Sequence, residues 1–345
     1  MKRSCIAVLG LLLLAAGALE AAPAFKYVLV TPNPLGDRSF IDAAARGVAR
    51  ANKELGLSGQ IIETTSIAEQ EVAIRAALAG NNNLILALAP DADTLLSIAA
   101  ENPNQKFGVP SDIYVDKLPP NVSAFQVNVH EGSFLAGVVA GMMTKTKTVG
   151  AVVGGDSPGL NQFYWAYKQG VLTARPDAKV MVSYLSFDFA NPTLGKETAL
   201  AQYDKGADII FQIAGRSGEG VLSAAAQTHK FAIGVDSNQD WIQPGSIIVS
   251  VLKRVDVTTY LLIKNTMEGK FKGGFQQISM SQGATSLSWD DGSTEFEKKG
   301  PADMAAMLPK VKARVADYRK QILAGKFVVC DALNAPDVSA CKGMK

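Results

Sequence analysis

The sequence predicts an α/β protein made of two doubly wound parallel sheets in tandem, and three observations predict it. Short β-branched runs alternate with longer helical patterns from residue 26 onward. The alternation completes five strands by residue 127, then starts again and completes five more by residue 252. The stretches between runs are long enough to hold a helix, which gives parallel strand pairs joined by right-handed crossovers.

The first block opens with the strand KYVLVT (26–31) and the helix FIDAAARGVARANKELG, which stops at Gly56. QIIETT (60–65) is the second strand, and AEQEVAIRAALAGN the helix that returns from it. LILALA (84–89), the helix DTLLSIAAENP, KFGVPS (106–111) and VSAFQV (122–127) complete the set. A small-residue helix, EGSFLAGVVAGMMTK (131–145), leads into the second block. Its G137-x-x-x-G141 spacing reads as close packing of that helix against a sheet, since the apolar run is too short for a membrane dimer motif. TVGAVVGG (148–155), KVMVSYL (179–185), DIIFQIAG (208–215), FAIGVD (231–236) and SIIVSVL (246–252) are the next strands, with helical patterns between the first four. KRVDVTTYLLIKNTMEGKF follows as a helix. The tail from Gly273 is less regular, with one more helix near MLPKVKARVADYRKQILAGK. No residue-level repeat relates the two blocks; only the architecture recurs.

Composition narrows the function. The apolar fraction is 48%, charged residues make up 19%, and 34 basic against 32 acidic residues leave a net charge of +2. That describes a globular chain without the basic footprint of a nucleic-acid binder or a polybasic membrane patch. Lys2 and Arg3 followed by CIAVLGLLLLAAGAL have the form of an export signal, with cleavage expected near residue 24. Cys5 precedes the end of the apolar core, so a lipid-anchored N-terminus is not expected. The mature chain keeps Cys330 and Cys341, which an oxidising compartment would join as a disulfide.

Open α/β sheets bind ligands outside the carboxyl ends of their strands. Here those ends lead into TPNPLGDRSF (31–40), APDAD (89–93), PSDI (110–113), GGDSPGLNQFYW (154–165), LSFDFANP (185–192), AGRSGEG (214–220) and VDSNQDW (235–241). Their aromatics and short polar side chains suit a cleft that stacks on a ring and hydrogen-bonds its edges. Catalytic machinery is not evident. No G-x-S-x-G elbow occurs, the only two histidines (His130, His229) have no second metal ligand close in sequence, and GGDSPG lacks the Lys-Ser/Thr of a phosphate loop. An exported two-lobed α/β protein of this kind is expected to be a ligand receptor, not an enzyme, with neither cofactor nor metal.

The segments GDRSFIDAAARGV, NPNQKFGVPSD, PPNVSAFQVNVHEGSFLAGVVAGMMTKTKTVGAVVGG, KGADIIFQIAGRSGEGV, FAIGVDSNQDW and SVLKRVDV occur in this order. Together they resemble the basic membrane protein family of substrate-binding proteins for ABC importers, which includes purine-nucleoside receptors. The resemblance implies a type I periplasmic-binding-protein fold: two Rossmann-like lobes with parallel sheets, joined by a three-crossing hinge. Lobe I would comprise residues 25–128 plus about 251–280, and lobe II 129–250 plus about 281–345. The implied function is a periplasmic receptor that encloses a small ligand, a purine nucleoside or nucleobase, and delivers it to an ABC permease in the inner membrane. The alternatives are a flavin or sugar-like ligand, or a sensor for a membrane signalling protein.

Carried onto this chain, the family's Asp-x-Ser-Phe loop matches Asp37 to Phe40, with Phe40 as the stacking aromatic. Asp112 is the expected edge contact, Asp236 and Lys253 match sugar-contacting positions, and Gly215 would let a backbone N–H approach the ligand. One of Phe163, Tyr164 and Trp165 is expected at the cleft, with Phe163 and Trp165 taken as candidates, the helix phase leaving open which. Two positions depart from the family pattern: Thr31 where nucleoside binders often carry an acid, and Ile41 where an Asn is common. Ordinary structural roles stand beside these: a helix staple for Phe40, a cap for Asp236, a solvated charge for Lys253 and a turn for Asp112.

Overall fold

The structure, a computed structural model, describes residues 25–344. The export signal expected before residue 25 lies outside them. The first block is β1 (Tyr27–Thr31), α1 (Phe40–Leu55), β2 (Gln60–Glu63), α2 (Ile67–Leu78), β3 (Leu84–Ala87), α3 (Ala92–Glu101), β4 (Phe107–Val109) and β5 (Val122–Val127). The second is α4 (Val129–Met143), β6 (Thr148–Val153), α5 (Pro158–Ala174), β7 (Lys179–Tyr184), α6 (Pro192–Asp204), β8 (Ile209–Ile213), α7 (Gly218–Gln227), β9 (Phe231–Asp236) and β10 (Ile247–Lys253). After it come α8 (Val255–Met267), β11 (Gly274–Ile278), β12 (Thr285–Leu287) and a long helix at Leu308–Leu323.

These elements make two six-stranded sheets, ordered β11-β5-β4-β3-β1-β2 and β12-β10-β9-β8-β6-β7. Read from the other edge, each block follows the doubly wound order 2-1-3-4-5 with one later strand added beyond its fifth. The added β11 runs parallel to β5, whereas β12 runs antiparallel to β10. Both added strands went unpredicted, because TSL is only three residues long and GFQQI is a half-exposed edge without clear alternation. The chain passes between the sheets three times: after Val127, after Lys253 and after Ile278. Among the described residues no helix is long and apolar enough to cross a membrane.

The helices form because each has a face to bury. In α1 the buried residues Ile41, Ala44, Val48 and Ala51 recur at helical spacing, and the helix ends at Gly56 in the left-handed region. Helix α4 is different, since it is buried almost all round, between α5, the Leu308–Leu323 helix and the second sheet. The predicted small-residue packing is real, but its partner is a helix, not a sheet. A Cβ on Gly137 would lie 2.1 Å from the Tyr167 carbonyl oxygen, and one on Gly170 the same 2.1 Å from that of Phe134. The two backbones touch, and only glycine allows that approach.

The end of the chain is tied down on α5. Cys330 and Cys341 are joined by a disulfide. The Cys330 N–H donates to Gln169 Oε1 at 2.9 Å, and Gln162 Nε2 donates to Asp331 at 2.8 Å.

Candidate functional site

Parallel register brings the key groups together. Leu252 of β10 pairs with Asp236 of β9, so Lys253 emerges one residue further along, beside Asp236. On the first-sheet side, Phe40 opens α1 just after the loop from β1, and the loop after β4 presents Asp112. The Lys253 ammonium donates to both oxygens of Asp112 at 2.8 Å, which ties the last residue of a second-sheet strand to a first-sheet loop. It also lies 5.0 Å from the centre of the Phe40 ring and 5.7 Å from that of Phe163, within cation–π reach of both. Tyr114 completes this side by donating its hydroxyl to Asp112 at 2.6 Å.

Asp236 sits behind the pair, buried, and accepts the Ser39 hydroxyl at 2.8 Å. Asp112 and Asp236 both hold a left-handed backbone, at φ 66° and 63°. Aspartate tolerates that conformation better than most side chains, yet it carries strain of the sort that gathers at functional sites.

The two carboxylates titrate differently. Burial raises the Asp112 carboxyl, but the Lys253 charge and the hydrogen bonds from Lys253 and Tyr114 outweigh it and leave the group below its ordinary range. For Asp236 burial dominates and pushes the carboxyl up to about 6, with Lys253 and the Ser39 bond offsetting only part of it. A carboxyl that holds its proton more tightly folded than unfolded contributes its stability below the unfolded value near 4. That contribution is lost as pH rises through about 6. The gap of roughly two pKa units corresponds to about 3 kcal/mol. Asp236→Asn is therefore expected to exceed the wild type in stability by up to about 3 kcal/mol near pH 7.5 and to match it near pH 4, read by denaturant unfolding at both.

The other expected site residues fall as follows. Asp37 serves its helix: its carboxylate accepts the backbone N–H groups of Ser39, Ile41 and Asp42 at 2.9–3.0 Å, which occupies both oxygens at the start of α1. Within the aromatic triplet, Phe163 is the ring brought to the lysine, while Trp165 is half-buried against the core. Gly215 has φ 53° and faces Phe189, whose carbonyl oxygen would stand 3.5 Å from an added Cβ. Ile41 is a core residue and Thr31, fully buried, turns its hydroxyl to the Asn33 carbonyl.

Sequence reading named the loops that carry Ser39, Phe187 and Phe189 without singling out those side chains, and its loop at 110–113 stopped one residue short of Tyr114. The two phenylalanines fold onto Gly154 and Gly155 at the end of β6, where an added Cβ would meet their rings at 2.1 and 2.4 Å. A glycine pair opposite an F-x-F loop was the available signal.

Comparison with known proteins agrees with this architecture. Residues 24–284 match the family model Bmp, described as ABC transporter substrate-binding protein PnrA-like. Basic membrane protein D of Borreliella burgdorferi is 32% identical over 71% of this chain and 73% of its own length. The ABC transporter nucleoside-binding protein BmpA of Lactococcus lactis is 26% identical over 88% of each chain. Among solved structures, an ABC transporter solute-binding protein from Aeropyrum pernix superposes with a TM-score of 0.75 at 27% identity, covering 88% of this chain and 93% of that one. The tandem sheets, the three crossings and the matched span together place this chain in the Bmp family of ABC transporter substrate-binding proteins.

Proposed function

We propose that this protein is the exported, periplasmic receptor of an ABC importer, capturing a purine nucleoside or nucleobase between its lobes and delivering it to the permease. One observation carries the ligand reading. Two phenylalanine rings, a lysine and two aspartates converge where strands of both sheets end. In this reading Phe40 stacks on the base, Asp112 meets its edge, and Asp236 and Lys253 hold the sugar hydroxyls, since a carboxylate accepts from two adjacent hydroxyls and an ammonium donates to them. Gly215 lends a backbone N–H, and Phe163 closes the apolar wall.

The electrostatics favour a neutral ligand. Two carboxylates face one ammonium, and Asp37 already takes three N–H groups at the start of α1 that a phosphate would need.

Calorimetry and thermal shift against adenosine, guanosine, inosine, adenosine monophosphate, riboflavin and glucose test this. A nucleoside is expected to raise the melting temperature and the monophosphate to leave it unchanged. Phe40→Ala is expected to weaken nucleoside binding by roughly 1–3 kcal/mol, the range of base–aromatic stacking. A shift with glucose or riboflavin alone overturns the nucleoside reading.

A further inference from the structure

Beside the ligand-facing groups lies a second set of contacts that joins the lobes directly. Ser237, after β9, donates its hydroxyl to the Ser39 carbonyl at 3.0 Å and accepts from Arg46 of α1 at 2.8 Å. The Ser39 hydroxyl returns to Asp236, which closes a small ring of bonds between α1 and the β9 loop. Further out, Gln239 Nε2 donates to the Arg38 carbonyl at 3.3 Å. The Arg38 guanidinium lies 5.5 Å from the Trp241 ring and 3.9 Å from Glu219 at the start of α7.

Both partners of this outer contact are built for it. Arg38 holds a left-handed backbone at φ 53°, and the Asp42 carboxylate fixes it by accepting the Gly36 and Arg38 N–H groups at 2.8 and 2.9 Å. Gln239 is fully buried and braced by Gln212 and by the Val235 N–H, while Trp241 anchors its indole N–H on the Asn238 carbonyl yet stays 53% exposed. An exposed tryptophan held in place under an arginine of the other lobe has no role in the core of its own lobe.

We infer that Arg38, Ser39 and Arg46 of the first lobe form with Ser237, Glu219 and Trp241 of the second a latch that holds the cleft closed before any ligand arrives. Of its outer members Arg38 and Trp241 are exposed and Glu219 half-buried, and each contact is individually weak, so the cleft can still open to admit a ligand. A receptor already biased to its closed form loses less affinity to the closing step than one that rests open. Only this consequence for affinity rests on the cleft being the ligand site.

The test uses ligand-free protein, so it fails or succeeds independently of the ligand's identity. Spin labels on cysteines introduced at exposed Val72 of α2 and Asp204 of α6 report the distance between lobes, the native Cys330–Cys341 pair being bonded. The wild-type background is expected to give a short, narrow distribution, and Arg38→Ala with Trp241→Ala a longer, broader one. The pair Arg46→Met with Ser237→Ala is expected to shift it in the same direction, and circular dichroism melts check that each variant is folded. If neither pair changes the wild-type distribution, the latch is overturned, whether the lobes then rest closed or open.

Discussion

Lys253→Met is expected to lower stability by about 3 kcal/mol at neutral pH and to abolish ligand binding. The ammonium is nearly buried, with its side chain 6% exposed, and it neutralises Asp112 while damping the charge on Asp236. Methionine replaces the stem and keeps the packing but leaves two inward carboxylates without a counter-charge. Both would then bind protons more tightly, so the deficit should shrink as pH falls toward about 5. Adding Asp112→Asn to the same chain should restore much of the loss, because it removes the stranded charge. Denaturant unfolding of the single and double variants reads both effects. An unchanged midpoint in Lys253→Met would mean that the pair contributes nothing net.

Gly137→Ala is expected to cost about 3 kcal/mol or more, through overpacking that no rotamer change can relieve. The atoms that the new methyl would meet are backbone: the Tyr167 carbonyl oxygen at 2.1 Å and the Gly170 Cα at 2.9 Å. The helices α4 and α5 would have to separate, and α4 is buried almost all round. Because that helix follows directly on the first crossing between the sheets, the damage should extend to ligand affinity as well as to the melting temperature. A normal melting curve for the variant would show that this crossing can relax.

The fold was legible because its signals are periodic. Buried parallel strands such as LILA and IIVSVL are apolar runs, broken in the second only by Ser250, and each returning helix repeats its apolar face often enough to be counted. What escaped was short or set by neighbours. β12 owes its existence to pairing with β10, and the α4–α5 contact depends on two glycines that periodicity cannot assign to a partner. Placement was legible where one side chain sits at one strand end, as with Asp236 and Lys253. Which atom a side chain turns toward was not legible. Nothing in GDRSF distinguishes an aspartate facing a ligand from one that caps the next helix, and only the three N–H bonds at Asp37 separate the two. Helix phase likewise decides between Phe163 and its neighbours, and phase is fixed by the packing of α5 against β8, seen in the Phe163–Phe211 contact at 6.5 Å.

The two added edge strands have a consequence for how the chain is made. The first sheet waits for β11, at residues 274–278, although its other five strands are complete by residue 127. The second waits for β12 at 285–287, and its helical cover is unfinished until the disulfide-tied tail lies on α5. The first sheet therefore cannot close its edge until residue 278 has been made, nor the second until residue 287. The two edges thus close late and almost together, after both sheets have their first five strands.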